Sequence, residues 1–175
     1  FNNIQKVREV VINMVNYSMA EQMSLASSPY SAEVDEFVKS GFNKVKSDLV
    51  QPHRLKESPV QFECKVLEIK QLGNKRGAGN LIICEILKIH ISIDVLDDNQ
   101  MIDQQKIDLI ARMGGNWYSR TEKKSMFEIT KPITTIGIGF DELPIEILNS
   151  NILTGNELGK LAGIESLPDE TAVND

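Results

Sequence analysis

The sequence is poor in the residues that most often carry catalytic or metal chemistry. Its 175 residues include two cysteines, two histidines and one tryptophan. Cys64 and Cys84 form no Cys-x-x-Cys pair, and His53 and His90 show none of the paired spacings of zinc ligands, so we expect no metal site. Each cysteine lies in an apolar run, where a buried free thiol is typical, and this use of cysteine favours a cytoplasmic protein.

Other familiar patterns are missing as well. The sequence has no Gly-x-Ser-x-Gly motif, and Gly77-Ala78-Gly79 stands between two predicted strands instead of opening a helix. Both observations argue against serine hydrolases and nucleoside triphosphatases. A net charge of −6 without a cluster of Lys and Arg predicts no nucleic-acid partner. The longest apolar run ends at Glu85 and is too short to span a membrane.

The hydrophobic pattern predicts a mainly β protein with flanking helices. We expect strands at residues 9–15, 60–69 and 81–93. In the second of these, apolar residues at 62, 64 and 66 alternate with polar residues at 61, 63 and 65, which predicts a half-buried strand. The third is more continuously apolar, so we expect both of its faces to be covered.

Helix signals flank these strands. Ser18 and Glu21 have the spacing of a capping box at the start of a helix. Ser31 and Gly41 predict the cap and the stop of a helix over residues 32–40. Further short helices are expected at residues 2–8 and 102–110. Two more are expected to begin near Pro144 and Thr154, and the second of these ends at Gly163. Residues 43–58 are expected to form a long connection.

The chain is predicted to contain two parts. The β pattern ends before residue 131, and the segment beyond it has the helix signals at Pro144 and Thr154 and an acidic end. We therefore expect a β domain at residues 1–130 and a helical extension with an acidic tail at residues 131–175.

The segment at residues 111–120, ARMGGNWYSR, does not look like ordinary scaffold. It places Arg112 and Arg120 around a Gly-Gly pair and the only Trp-Tyr pair of the chain. Three interpretations are open: a site for a flat anionic ligand, an arginine stacked on nearby aromatic rings, or a turn that carries these residues without a function.

Several segments match a known family in order along nearly the whole chain. They read VVINMVNYSMAEQMSLASSPY, VDEFVKSGF, ESPVQFECKVLEI, NLIICEILKIHI, DLIARMGGNWYSR and, near the end, IGIGFDELPIEILNSNILTGNELGKLA. The chain thereby resembles the flavin reductase-like, FMN-binding split-barrel family, in its flavoredoxin-type branch. The resemblance implies an antiparallel split β-barrel with flanking helices, and a homodimer with the flavin near the subunit interface. It begins inside the family domain, so we expect an incomplete barrel and most contacts to the FMN phosphate upstream of residue 1.

The resemblance also implies a binding site. It places the following residues close to FMN: Arg112, Gly114, Gly115, Asn116, Trp117, Tyr118, and Ser24 in the turn of residues 24–30. Two interpretations of His90 remain, a hydrogen-bonded structural histidine on its strand or a residue near the cofactor. No side chain is expected to act as a catalytic acid or base, because the flavin carries the chemistry.

The expected function is that of an FMN-binding oxidoreductase in which NAD(P)H passes a hydride to the flavin. The alternative is a non-enzymatic split-barrel homodimer that carries electrons on FMN or binds no flavin. Many members of the superfamily have Gly-Asp-His where this chain has Gly77-Ala78-Gly79, and the histidine helps to position the nicotinamide. Because this chain offers no imidazole there, the substitution favours the alternative.

Overall fold

The computed structural model describes residues 2–75, 77–130 and 132–168. Two compact units divide the chain, Phe1–Phe127 and Glu128–Asp175. All strands of the described residues lie in the first unit: β1 (Glu9–Asn13), β2 (Lys44–Val45), β3 (Arg54–Leu55), β4 (Val60–Gln71), β5 (Asn80–Ile91), β6 (Ile110–Gly114) and β7 (Trp117–Arg120). The α-helices are α1 (Asn2–Val7), α2 (Ala20–Ala26), α3 (Glu36–Ser40), α4 (Ile145–Leu148) and α5 (Gly155–Ala162).

The fold is mainly β, and its sheets are antiparallel and not closed. The largest sheet has the order β1-β4-β5, while β2 pairs with β3 and β6 pairs with β7. The two long strands predicted at residues 60–69 and 81–93 occur as β4 and β5, which run antiparallel from the pair Val60 and Ile91 to the pair Gln71 and Asn80. Two bulges, after Glu63 and after Val66, interrupt this ladder.

One face of the large sheet is polar and is nevertheless covered. The pair β2–β3 and its flanking loops lie over this face: the Leu55 amide donates to Asn13 Oδ1 over 3.0 Å, and Gln61 Nε2 donates to the Leu55 carbonyl over 2.8 Å. Gln61 and Glu63 are consequently buried, and the prediction of a half-buried β4 is wrong. The segment at residues 43–58 is a folded covering layer, although we expected only a connection.

The opposite face of the sheet is apolar and largely open. Ile12, Phe62 and Ile89 are paired in register across three strands. Ile12 is 45% exposed and Ile89 is 49% exposed, although Cys64 on the same face is fully buried. The expectation that both faces of β5 are covered is therefore wrong, since none of the residues of β5 is buried. Burial on this face follows the central strand, at Val60, Cys64 and Val66, and at one end Val60 packs against Val95 and Ile107.

The helix predictions had mixed outcomes in the first unit. Gly41 ends α3 in the left-handed conformation, with φ +72°, as predicted, but the cap is Asp35, whose side chain accepts from the Phe37 amide. The Ser18 capping box is wrong: Ser18 Oγ donates to Asn16 Oδ1, and residues Tyr17–Met19 form a 3₁₀ turn that leads into α2. The helix expected at residues 102–110 is absent, since this segment consists of turns that lead into β6.

The helices of the second unit follow their sequence signals. Thr154 and Glu157 form a reciprocal capping box at the start of α5, which ends at Gly163. Pro144 directly precedes α4. The Gly139 amide donates to the Ala162 carbonyl over 3.1 Å and joins the loop before α4 to the end of α5. The proposed division after residue 130 stays a prediction.

Candidate functional site

A cleft of about 400 Å³ lies between the start of α2 and the β6–β7 hairpin. Small-molecule sites in proteins typically measure about 300–1,000 Å³, so the cleft suits a small ligand. The residues that line it are Tyr17, Ala20, Glu21, Met23, Ser24, Ile110, Arg112, Gly115, Asn116, Tyr118, Ser119 and Arg120. Two segments about 90 residues apart in the sequence therefore form its opposite walls.

The hairpin wall is shaped by its glycines. Arg112 pairs with Tyr118 across the hairpin, and a register shift follows between Arg112 and Gly114. Gly115 has φ +54°, which side-chain-bearing residues seldom adopt, so glycine permits this tight turn. Arg112 NH2 lies 3.4 Å from the Gly115 carbonyl, and its guanidinium is 5.9 Å from the centre of the Tyr118 ring.

The two arginines of the hairpin differ in their charge partners. Arg120 binds Asp108 with two hydrogen bonds of 2.7 and 2.8 Å, and these bonds raise the pKa of Arg120 above its ordinary value. Arg112 has no carboxylate within 4.0 Å among the residues that the structure describes. Arg112 is thus the cleft's cation that remains available to an anionic group, and Glu21 is an acidic residue in the opposite wall.

Arg120 also joins the two walls. Its guanidinium lies 3.8 Å from the centre of the Tyr17 ring, while the Tyr17 amide donates to the Asp108 carbonyl over 2.9 Å. Of the three interpretations of the hairpin, the arginine stacked on an aromatic ring describes Arg120. Arg112 and Tyr118 fit the interpretation of a ligand site, which stays a prediction.

The structure brings most of the predicted site residues to this cleft. Ser24, Arg112, Gly115, Asn116 and Tyr118 line it. Gly114 and Trp117 belong to the same hairpin but are not among the lining residues, and Trp117 is 77% exposed.

Seven lining residues were not among the residues predicted from the sequence: Tyr17, Ala20, Glu21, Met23, Ile110, Ser119 and Arg120. Tyr17 and Arg120 are held by hydrogen bonds with Asp108, which the local sequence pattern does not indicate. For Tyr17, the available sequence signal was its position as an aromatic residue directly before the expected start of α2.

His90 is placed in a different cluster. Its Nε2 lies 2.7 Å from Oε1 of Glu63, which is fully buried, and the structure places His90 outside the lining of the cleft. Glu63 also accepts backbone N–H bonds from Asp48 and Leu49, over 2.9 and 2.6 Å. Burial raises the pKa of the Glu63 carboxyl, but these two amides and His90 outweigh it and lower the pKa to about 2. His90 is therefore hydrogen-bonded on its strand, as one of its two interpretations expects.

The same cluster has three groups that could ligate a metal. Oxygen atoms of Asp48 and Glu63 and a ring nitrogen of His90 lie within 4.8 Å of one another. However, Lys88 forms an ion pair with Asp48, and Arg54 Nε lies 3.6 Å from Glu63 Oε1. These cations already balance the carboxylates and would repel a metal ion, so the cluster is best described as a structural polar network.

Comparison with known proteins identifies the family of the chain. Residues 1–123 match the model of the flavin reductase like domain. The chain belongs to this family. A relative from Aquifex aeolicus, described as an uncharacterized protein, is 32% identical over 116 residues, which are 66% of this chain and 57% of the relative. The chain thus spans little more than half the length of this relative.

Solved structures share the fold of this chain. The 2-nitrobenzoate 2-nitroreductase of Pseudomonas fluorescens is 24% identical, with a TM-score of 0.66 over 79% of this chain and 66% of that chain. A protein from Shewanella frigidimarina, described as a flavin reductase with a split barrel domain, is 25% identical, with a TM-score of 0.63 over 74% and 65% of the two chains. The expected split-barrel fold is thereby confirmed.

None of the helices in the described part of the chain is long and apolar enough to cross a bilayer.

Proposed function

We propose that the chain is an FMN-binding oxidoreductase whose cleft holds the ring system of the flavin. The observation that carries this proposal is the convergence of Ser24, Arg112, Gly115 and Tyr118 on one cleft. These residues come from the two segments that the family resemblance places near FMN. The chain's membership of the flavin reductase-like family supports a flavin as the ligand.

The chemistry of the lining residues fits this ligand. Tyr118 offers an aromatic surface to a flat ring, and Met23 and Ile110 offer apolar contact. The turn at Gly115 leaves the backbone accessible to polar ring edges, because nothing lies within 4 Å of the place where a Cβ would stand. Arg112 would face the electron-rich edge of the ring and balance negative charge there.

The protein's part in the reaction is binding and orientation. When bound, the flavin supplies the nitrogen that accepts a hydride from NAD(P)H. The walls of the cleft would hold the ring and exclude water from one of its sides, while Arg112 stabilises the additional negative charge. No side chain of the cleft has to act as an acid or base.

A second candidate is a non-enzymatic role, in which a split-barrel homodimer carries electrons on FMN or binds no flavin. The observation in its favour is the β4–β5 connection, where Gly77-Ala78-Gly79 is exposed and carries no imidazole. Steady oxidation of NADH or NADPH, followed at 340 nm with free FMN as acceptor, separates the two candidates. Turnover supports the oxidoreductase, whereas flavin binding without turnover supports the carrier.

We further propose that the protein forms a homodimer. The apolar face around Ile12, Ile86 and Ile89 is too open for an isolated chain, and β5 has an unpaired edge among the described residues. Light scattering should give twice the 19.6 kDa of one chain. Ile89→Lys should shift the protein to a monomer, whereas Glu85→Lys, on the opposite face of β5, should not. A monomeric wild-type protein would contradict the proposal.

The direct test of flavin binding is a titration with FMN, followed by quenching of its fluorescence. The 175-residue chain, and the same chain with any coding sequence that precedes it, should bind FMN. Arg112→Gln should weaken binding by roughly fivefold to tenfold, because one charge-assisted contact is lost. Lys123→Gln, an exposed cation outside the cleft lining, is the matched control. Equal affinities of wild type and Arg112→Gln would remove Arg112 from the site, and a lack of FMN binding by both chains would end the proposal.

A further inference from the structure

Three residues connect the walls of the cleft. Asp108 precedes β6, Arg120 ends β7, and Tyr17 begins the 3₁₀ turn before α2. The carboxylate of Asp108 holds both Nε and NH2 of Arg120, and the guanidinium of Arg120 lies 3.8 Å from the centre of the Tyr17 ring. A guanidinium at this distance is attracted by the face of the ring.

The backbone of Asp108 makes a second link between the same walls. Its carbonyl accepts the Tyr17 N–H over 2.9 Å, and the neighbouring residues Asn16 and Leu109 form a β-bridge. Asp108 has φ +49°, in the left-handed region that aspartate and asparagine tolerate better than most residues. Asp108 therefore places its carbonyl on one wall and its carboxylate on the arginine of the other.

Because of this arrangement, Arg120 and Arg112 have different roles. Arg120 has its charge balanced by Asp108, and Glu122 Oε1 lies 3.7 Å from Arg120 NH1. Arg120 is therefore poorly suited to bind an anionic ligand, whereas its planar group spans the gap between the hairpin and Tyr17. Both Arg120 and Tyr17 line the cleft, so their mutual position contributes to its width.

We propose that Asp108, Arg120 and Tyr17 form a positioning unit that fixes the separation of the two cleft walls and thereby sets the affinity for a flat ring ligand. This inference rests on the proposed function, because FMN is the ring ligand used to test it. When the walls are already held in place, binding of the ligand costs less conformational entropy. This lower cost raises the affinity.

The test compares FMN affinity in variants that keep or remove single features of the unit. Asp108→Asn keeps a residue that tolerates the left-handed backbone and removes the charge. Arg120→Lys keeps the charge and removes the planar, two-point contact. Both should weaken FMN binding by roughly tenfold, the loss expected for one charge-assisted interaction. Asp98→Asn, an exposed acidic turn residue, is the matched control for charge and should bind as wild type does.

Tyr17 provides the conservative rescue. Tyr17→Phe keeps the aromatic face under Arg120 and should bind FMN within about twofold of wild type. Tyr17→Leu removes the face and should weaken binding to the level of Arg120→Lys. Since both variants remove the hydroxyl group, the ring alone accounts for a difference between them.

Two further readouts separate positioning from general stability. Visible circular dichroism of FMN at saturation reports the surroundings of the ring, and it should change in Asp108→Asn and Arg120→Lys even when every site is filled. Amide hydrogen exchange of the flavin-free variants should rise at residues 16–24 and 110–120 and stay unchanged in β4 and β5.

The outcomes are distinct. Variants that bind FMN as wild type does, with unchanged dichroism, would overturn the positioning unit and leave the proposed function intact. Faster exchange throughout the first unit would also overturn it, because the three residues would then support the fold in general. If neither wild type nor Asp98→Asn binds FMN or riboflavin, the proposed function fails, and the inference fails with it.

Discussion

Glu63 is the residue whose replacement should have the largest effect on stability. It is fully buried, and its carboxylate accepts hydrogen bonds from the amides of Asp48 and Leu49 and contacts His90. Glu63→Gln preserves the shape but turns one acceptor oxygen into an NH2 group, which must then face an N–H donor. The loop that covers the polar face of the sheet would lose one of its attachments to β4.

The magnitude follows from the pKa of Glu63. Burial alone would raise the pKa, but the two backbone amides and His90 lower it from 4.5 to about 2. A pKa difference of one between the folded and the unfolded protein corresponds to about 1.4 kcal/mol. The ionised Glu63 therefore contributes about 3 kcal/mol to the free energy of unfolding near neutral pH. Because the pKa is lower in the folded protein, this contribution is complete above pH 4.5 and is lost as the pH falls from 4.5 through 2.

The assay is urea unfolding of wild type and Glu63→Gln between pH 7 and pH 2, followed by far-ultraviolet circular dichroism. Glu63→Gln should be less stable by about 3 kcal/mol at pH 7, and the difference should shrink below pH 4.5. Asp48 titrates in both proteins and largely cancels in the difference. Glu68→Gln, an exposed glutamate on the same strand, should match wild type. A difference that stays constant with pH, or equal stabilities at pH 7, would refute the assignment of the pKa to these contacts.

Two other predictions concern glycines and the charge of the cleft. Gly41→Ala should lower stability by about 1 kcal/mol, because φ +72° strains an alanine, whereas Gly159→Ala inside α5 meets no atom within 4 Å and should stabilise the second unit by up to about 1 kcal/mol in thermal unfolding. Effects of equal sign would contradict this reasoning. Glu21→Gln should strengthen FMN binding by roughly twofold at low salt and less at high salt, since an acidic group leaves the cleft wall; a weaker complex would assign Glu21 a direct role in holding the ligand.

The elements that could be predicted from the sequence are those fixed by neighbouring residues. The capping box of Thr154 and Glu157 and the stop at Gly41 depend on atoms within four residues, and both occur in the structure. The long strands β4 and β5 were recognisable because a glycine-rich connection separates their apolar runs. The Ser18 capping box had the same kind of signal and is wrong, since Ser18 bonds with Asn16 in a 3₁₀ turn.

The faces of the large sheet could not be predicted, because a distant segment decides them. An alternating pattern normally places apolar side chains inside, yet here the loop at residues 46–55 supplies amides, a carbonyl and Arg54 that satisfy Gln61 and Glu63. Burying a polar face costs little when each group finds a partner. On β4 the usual rule correctly places Cys64 and Val66 inside and fails only for Gln61 and Glu63. On β5 it fails for the apolar face, because Ile86 and Ile89 stay exposed in the single chain.

The contacts of single cleft residues could not be predicted from the sequence either. Arg112 and Arg120 stand on one hairpin, and only Arg112 was placed near FMN by the family resemblance; the local sequence gave no indication of how Arg120 is held. Asp108, which follows a segment wrongly expected to be helical, distinguishes them by binding Arg120 and bringing it onto Tyr17. A turn with a left-handed aspartate leaves no recognisable signal in a single sequence. Its consequence is nevertheless chemical, since it balances the charge of one arginine and leaves Arg112 as the cation available in the cleft.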